Sequence, residues 1–123
     1  MGEPRGGYSR TTPDAGSRYA ERRRVPRYPA TGEVEAFEPL TNARVWGRLT
    51  EISLSGCYAS TAEPLPRHSV FQIRMIRDGE AVEAWARVVY MHPGQGMGIS
   101  FLKVEEKQLG LLKTWLADLA AAN

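Results

Sequence analysis

Apolar and polar side chains alternate along much of the chain after residue 30, and this period of two predicts β-strands. The alternation is clearest where Phe71, Ile73 and Met75 are separated by polar residues. Clusters of Gly, Pro, Asn and Asp lie between the alternating segments and predict turns. The pattern therefore predicts six strands: one beginning near Tyr28, then Arg44–Ser53, Cys57–Thr61, Val70–Arg77, Glu80–Met91 and Gly96–Leu102.

The hydrophobic period changes to three or four residues near the C terminus. Leu109, Leu112, Trp115 or Leu116, and Leu119 follow this spacing, which predicts one amphipathic helix over residues 105–120. Because its apolar stripe would otherwise face water, we expect the helix to pack on the strands in preference to binding a partner helix. The predicted fold class is all-β with one C-terminal helix, the six strands closing into a small antiparallel barrel.

The N-terminal part of the chain lacks this alternation. Residues 1–20 are rich in Gly, Pro, Ser, Thr and Arg, and they have too little apolar surface to offset the entropy of ordering, so we expect a disordered tail. Residues 21–29 form a basic arm in which Pro26 and Pro29 favour extended or turn conformations. The barrel and its helix are expected over residues 30–120.

Length and composition narrow the function classes. A chain of 123 residues with 42% hydrophobic content suits one domain and excludes a large multidomain enzyme. We find no apolar run near the roughly 20 residues that span a bilayer and no apolar centre of a secretory signal, so we expect a cytoplasmic protein without membrane contact. A single cysteine, Cys57, excludes an internal disulfide and a cysteine-rich zinc site.

The formal net charge of +2 conceals an uneven distribution. Residues 1–29 hold seven basic and three acidic side chains, a charge of +4, whereas residues 30–123 hold nine basic and eleven acidic side chains, a charge of −2. A basic arm on a mildly acidic body indicates an anionic partner for the arm. Aromatic residues do not interleave with the arm as a nucleic-acid stacking groove requires, so nonspecific nucleic-acid binding is disfavoured.

The residue types that carry catalysis or bind metal are sparse. His68 and His92 are expected in loops as solvated side chains, and neither has metal-ligand spacing to another His or to a Cys. No histidine accompanies Cys57 locally, which favours a buried structural thiol over a nucleophile. Since we also find no Gly-rich phosphate loop leading into a helix, the sequence predicts neither an enzyme nor a resident cofactor or metal.

Two segments could bind an anion. The first carries Arg22, Arg23, Arg24 and Arg27. In an extended chain, four residues span roughly 13 Å, so Arg23 and Arg27 could hold two groups of one large anion through guanidinium contacts to phosphate and to a guanine edge. Taken alone, such a run is more simply interpreted as a solvated basic stretch.

The second segment lies at a predicted strand end, from Glu51 to Gly56. Strand alternation predicts that Glu51, Ser53 and Ser55 share the outer face of the barrel if Ile52 and Leu54 on the other face point into the core. Gly56 would allow a backbone or a ligand to approach closely. By itself the segment is a polar strand face with a glycine bulge.

In this order and spacing, the two segments resemble the PilZ domain, a bacterial receptor for cyclic di-GMP built as a six-stranded β-barrel with a C-terminal helix. The resemblance covers most of residues 21–119. Arg23 and Arg27 match the family's RxxxR motif, and Ser53 and Gly56 match its D/N-x-S-x-x-G motif. The strands around Arg87–Tyr90 and Gly96–Phe101 also look like the family's last two strands.

Glu51 stands where the family has Asp or Asn. It keeps the acceptor carboxylate but adds one methylene, which shifts the oxygens by about 1.5 Å and can break a hydrogen bond. The resemblance therefore implies binding that survives in weakened form. A degenerate family member that acts as a protein-interaction adaptor without nucleotide is the alternative.

The resemblance implies that the arm folds over the barrel and clamps cyclic di-GMP, with no further cofactor. The receptor would then act in trans on an unidentified effector of motility, pili or exopolysaccharide secretion, as a monomer or weak homodimer. Tyr90 has two open roles, stacking on a base or packing in the core. The ligand-binding residues that the resemblance implies are Arg22, Arg23, Arg24, Arg27, Glu51, Ser53 and Gly56.

Overall fold

The strands and the helix follow the predicted pattern closely. The structure is a computed structural model that describes residues 25–122, so the predicted tail and Arg22–Arg24 lie outside the described residues. The elements are β1 (Arg27–Glu38), β2 (Ala43–Ser53), β3 (Gly56–Ser60), β4 (Val70–Arg77), β5 (Glu80–His92), β6 (Gly96–Lys103) and α1 (Glu106–Ala122).

Over the described residues, the six strands close into one barrel. Its strand order is β1-β2-β3-β6-β5-β4, with β4 pairing back onto β1, and every neighbouring pair is antiparallel. The closed order leaves no free sheet edge along the paired segments. The predicted fold class is confirmed.

The barrel interior is filled by the inward residues of the alternating strands. Aliphatic and aromatic side chains from all six strands are buried there, as the period-two pattern predicts. The largest of the fully buried strand side chains are Phe71, Leu49, Ile52, Ile73, Met75, Met97, Val34, Val82 and Val88.

Helix α1 packs on the barrel, as its apolar stripe predicts. Leu112 and Trp115 are buried in the common core, and the helix contacts β1 and β5. The Trp115 indole N–H donates a hydrogen bond to a Glu80 carboxylate oxygen at 3.1 Å, so the ring is buried with its polar atom satisfied. No helix within residues 25–122 is long and apolar enough to cross a bilayer.

Two tight turns fix the barrel register. Asp78 and Gly79 join β4 to β5 with φ angles of 51° and 80°, the left-handed pair that suits a two-residue hairpin, in agreement with the turns predicted between the alternating segments. Between β1 and β2, the Glu38 carboxylate accepts hydrogen bonds from the backbone N–H groups of Leu40 and Thr41 at 2.7 and 3.1 Å. These side-chain hydrogen bonds, rather than backbone pairing, stabilise the loop.

Candidate functional site

A shallow pocket lies where the start of β1, the end of β2 and the start of β3 meet β5 and β6. It contains the described residues of both sequence motifs, namely Arg27 from the first and Glu51, Ser53 and Gly56 from the second. Strand pairing explains the meeting, because Arg27 in β1 is the pairing partner of Ser53 in β2. Segments two dozen residues apart in the chain therefore form one site.

Arg27 and Glu51 carry the charges of this pocket. An Arg27 guanidinium nitrogen lies 3.6 Å from a Glu51 carboxylate oxygen, and the two side chains are 57% and 44% exposed. An ion pair this open to water contributes less than about 1 kcal/mol to stability. Both groups can therefore exchange this contact for another partner at small cost.

Ser53 shapes the turn between β2 and β3. Its hydroxyl oxygen accepts hydrogen bonds from the backbone N–H groups of Ser55 and Gly56 at 3.1 and 3.2 Å, and it lies 3.3 Å from the Gly56 carbonyl oxygen, to which it donates. The residue is only 6% exposed. Ser53 thus presents Ser55 and the turn to the pocket, while its own polar atom is already engaged.

The predicted alternation holds for Ile52, which is buried in the core, but it is wrong for Leu54. Leu54 is 43% exposed rather than in the core, whereas Ser53 lines the pocket beside Glu51 and Ser55, although little of its surface is exposed. Two local features shift the pattern: β2 contains a register irregularity between Leu49 and Glu51 in its pairing with β3, and it ends at Ser53, after which the chain turns. A simple period of two cannot extend through either feature.

Gly56 is required by the approach of two strands. It pairs with Ser100 of β6, and a Cβ atom at position 56 would overlap the carbonyl oxygen of Ile99. The expected close approach at Gly56 is therefore made by the protein backbone of β6. Gly56, Ile99 and Ser100 all line the pocket, so this close approach forms part of its wall.

Cys57 lies beneath the pocket as a buried thiol. Burial raises its pKa far above the usual range, so the sulfur stays protonated and is a poor nucleophile. Among residues 25–122, no three His, Cys, Asp or Glu side chains are grouped as a metal site would require. The residues described here offer hydrogen bonds, charge and ring surfaces to a ligand.

His92 differs from its predicted loop position. It is the last residue of β5, and its Nδ1 atom shares a hydrogen bond of 2.9 Å with the Tyr58 hydroxyl of β3. Sequence reasoning missed this pair because it is formed across β6, which lies between β3 and β5 in the barrel. The available signal in the sequence was the pair Gly96 and Gly98 in β6, which have no side chains and so leave room for rings from the two neighbouring strands.

Tyr90 lies at the wall of the pocket. Its side chain is 43% exposed, which excludes the core role left open by the sequence. Ser100 and Gly98 line the same wall and were not among the predicted site residues. Their contribution depends on the non-local pairing of β6, which motif spacing does not reveal.

Comparison with known proteins agrees with this architecture. The family model described as PilZ domain matches residues 21–118. The PilZ domain of YcgR from Escherichia coli, solved with cyclic di-GMP, is similar in structure at 18% sequence identity and a TM-score of 0.68, covering 82% of this chain and 93% of that one. No curated protein sequence matches the chain.

Two further solved structures share the fold. The PilZ domain of CeSA from a cellulose-synthesizing bacterium is 23% identical with a TM-score of 0.60, and the match covers 77% of this chain and 98% of that one. The inhibitor of motility MotI/DgrA from Bacillus subtilis is 12% identical with a TM-score of 0.66. That match covers 81% of this chain and 52% of MotI/DgrA, so this chain spans about half of that protein's length.

Proposed function

Since this chain belongs to the PilZ domain family, we propose that it is a cytoplasmic cyclic di-GMP receptor that acts on a partner protein in trans and catalyses no reaction. The observation that carries the proposal is the pairing of Arg27 with Ser53, which brings the arginine motif and the serine-glycine motif to one pocket. The YcgR domain with the same fold was solved with cyclic di-GMP, which supports this ligand.

The chemistry of the pocket suits a guanine dinucleotide. A guanidinium group donates in parallel to the O6 and N7 acceptors of guanine or to phosphate oxygens, and Arg27 is exposed and available for this contact. The Glu51 carboxylate is an acceptor for the amino group of the same base. Arg22, Arg23 and Arg24 precede Arg27 by three to five residues, close enough to complete a clamp around the two phosphates.

Signal output follows from the ordering of the arm. Ligand that bridges the arm and the barrel creates a surface absent from the free protein, and an effector that recognises this surface shifts the equilibrium further. The similarity to a motility inhibitor supports an effector of motility, with pili and exopolysaccharide secretion as the other candidates. The receptor is proposed to work as a monomer or weak homodimer.

Calorimetric titration of cyclic di-GMP tests the receptor proposal. Wild type is expected to bind saturably, and Arg27→Ala or Arg23→Ala is expected to weaken binding about 10- to 150-fold, because each removes charged hydrogen bonds worth about 1.5–3 kcal/mol. Arg67→Ala, which changes an exposed arginine outside the pocket, is the matched control and should leave affinity unchanged. Absence of saturable binding by wild type would overturn the proposal.

A degenerate adaptor that binds no nucleotide is the second candidate. Glu51 favours it, because this residue stands where the family motif has Asp or Asn. Glu51→Asp separates the two candidates, since the shorter side chain restores the family residue. If the chain is a receptor, wild type and Glu51→Asp both bind cyclic di-GMP, and Glu51→Asp binds it more tightly. If the chain is a degenerate adaptor, wild type does not bind it.

A further inference from the structure

Three aromatic rings form a cluster on the outside of the barrel, next to the candidate pocket. The ring centroids of Tyr58 and Tyr90 are 6.2 Å apart, those of Tyr58 and His92 are 6.0 Å apart, and those of Tyr90 and His92 are 5.3 Å apart. The rings are tilted by 33° to 52°, within the range of favourable edge and offset contacts. We call these three residues the aromatic cluster.

Two glycines in β6 support the aromatic cluster. Gly98 pairs with Tyr58 on one side and Tyr90 on the other, and a Cβ atom at position 98 would overlap the Tyr90 ring. A Cβ atom at Gly96 would lie 2.7 Å from the Tyr58 ring and hydroxyl. Both tyrosine rings therefore lie against bare backbone of β6, which restricts their position.

The Tyr58 hydroxyl links the other two members. It shares a 2.9 Å hydrogen bond with His92 Nδ1, and burial, followed by the neighbouring Tyr90, raises the pKa of this hydroxyl. The hydroxyl therefore remains protonated well above neutral pH. This bond keeps Tyr58 and His92 together on one side of Tyr90.

Tyr90 alone of the aromatic cluster reaches the pocket that contains Arg27 and Glu51. Its ring lies against the backbone of Gly98 and contacts Tyr58 and His92, yet 43% of the residue remains exposed. A planar apolar surface fixed beside an exposed guanidinium group matches a purine base, which needs stacking on its face and hydrogen bonds at its edge.

We propose that Tyr90 is the base-stacking wall of this pocket, and that Tyr58 and His92 are positioning residues that hold the Tyr90 ring for a purine base. The inference rests on the proposed function and adds the element that recognises the face of the base. The two motifs recognise its edge and its phosphates. Because the Tyr90 ring is already held in one position, little side-chain entropy is lost when a base binds.

Substitutions at Tyr90 test whether a base of the ligand stacks on this residue. Tyr90→Leu keeps apolar bulk without an aromatic face and is expected to weaken cyclic di-GMP binding about 5- to 150-fold. Tyr90→Phe keeps the ring and is expected to bind within about threefold of wild type. Thermal melts check that each variant folds. Both are expected to fold because Tyr90 is partly exposed.

Ring-current shifts in NMR spectra give a readout that a merely structural role would not move. The Tyr90 ring protons, assigned by their loss in Tyr90→Phe and Tyr90→Leu, are expected to move upfield when cyclic di-GMP is added to wild type. A double-mutant cycle tests positioning: Tyr58→Phe or His92→Ala should weaken binding in wild type but not in the Tyr90→Leu background.

The outcomes separate the wall from the receptor proposal. If wild type binds cyclic di-GMP but Tyr90→Leu binds equally well and the Tyr90 ring protons do not shift, the stacking wall is wrong and the receptor proposal stands. If Tyr58→Phe and His92→Ala weaken binding equally in both backgrounds, their positioning role is wrong. If wild type does not bind, both proposals are wrong.

Discussion

At Gly56 the backbone of β3 approaches the Ile99 carbonyl of β6 so closely that no side chain fits between them. The Ser53 hydroxyl accepts a hydrogen bond from the Gly56 N–H group and donates one to the Gly56 carbonyl oxygen. One residue without a side chain therefore joins the turn of the second motif to the floor of the pocket. The glycine of the motif acts through backbone packing in addition to any contact with ligand.

Replacing Gly56 with alanine is expected to lower stability. The added methyl group must displace strand backbone, which costs about 1–3 kcal/mol of unfolding free energy in a well-packed core. Gly110→Ala is the matched control, because position 110 is an exposed helical site with open space around it and should gain up to about 1 kcal/mol. Urea unfolding measures both, and equal effects at the two glycines would contradict the packing argument.

Glu38 makes stability depend on pH. Hydrogen bonds from the Thr41 hydroxyl at 2.5 Å and from the Leu40 and Thr41 N–H groups lower the pKa of this carboxyl below its ordinary value. A carboxyl whose pKa is depressed in the folded state stabilises the fold above its unfolded pKa of about 4.5, and this contribution is lost as the pH falls through the folded pKa.

We therefore expect Glu38→Gln to lower stability at neutral pH and to flatten the loss of stability in acid. Urea unfolding from about pH 7 to about pH 3 gives the pH dependence of the unfolding free energy. Glu63→Gln, at an exposed loop carboxyl for which no such hydrogen bonds are found, serves as the control. The same acid slope in Glu38→Gln and wild type would refute the role of this carboxylate.

At the scale of elements, helix α1 contributes to the barrel core. Leu112 is fully buried against the strands, so Leu112→Ala should cost about 2–5 kcal/mol of unfolding free energy through lost burial and a cavity. Lys113→Ala, one residue away on the exposed face, should change stability by less than about 0.5 kcal/mol. A loss as small in Leu112→Ala as in Lys113→Ala would show that α1 is not part of the cooperative fold.

The elements themselves were predictable because their signals are local. Alternation in Val70–Arg77 and the turn residues Asp78 and Gly79 specify β4 and its hairpin without reference to other strands. Leu54 was wrongly placed in the core because the position at which β2 ends, at Ser53, is decided by neighbouring strands. The Tyr58–His92 bond was missed for a related reason, since it depends on the order of β3, β6 and β5.

At the scale of the whole molecule, charge is divided between a +4 N-terminal part and a −2 remainder. If the arm holds the phosphates, affinity for cyclic di-GMP should fall as NaCl is raised from about 50 to about 500 mM, because salt screens exposed charges. The Arg22→Ala/Arg24→Ala double variant should show a shallower salt dependence than wild type, whereas Arg67→Ala should match wild type. Calorimetry across the salt series measures this, and identical slopes for all three proteins would exclude the arm from phosphate binding.

The pairing of Arg27 with Ser53 also limits where the rest of the arm can go. Arg23 precedes Arg27 by four residues, so its Cα atom can lie no farther than about 14 Å from the pocket edge. A tether this short corresponds to an effective concentration in the millimolar range or higher. The closure proposed for the arm would thus be an intramolecular step, with an equilibrium independent of how dilute the protein is in the cell.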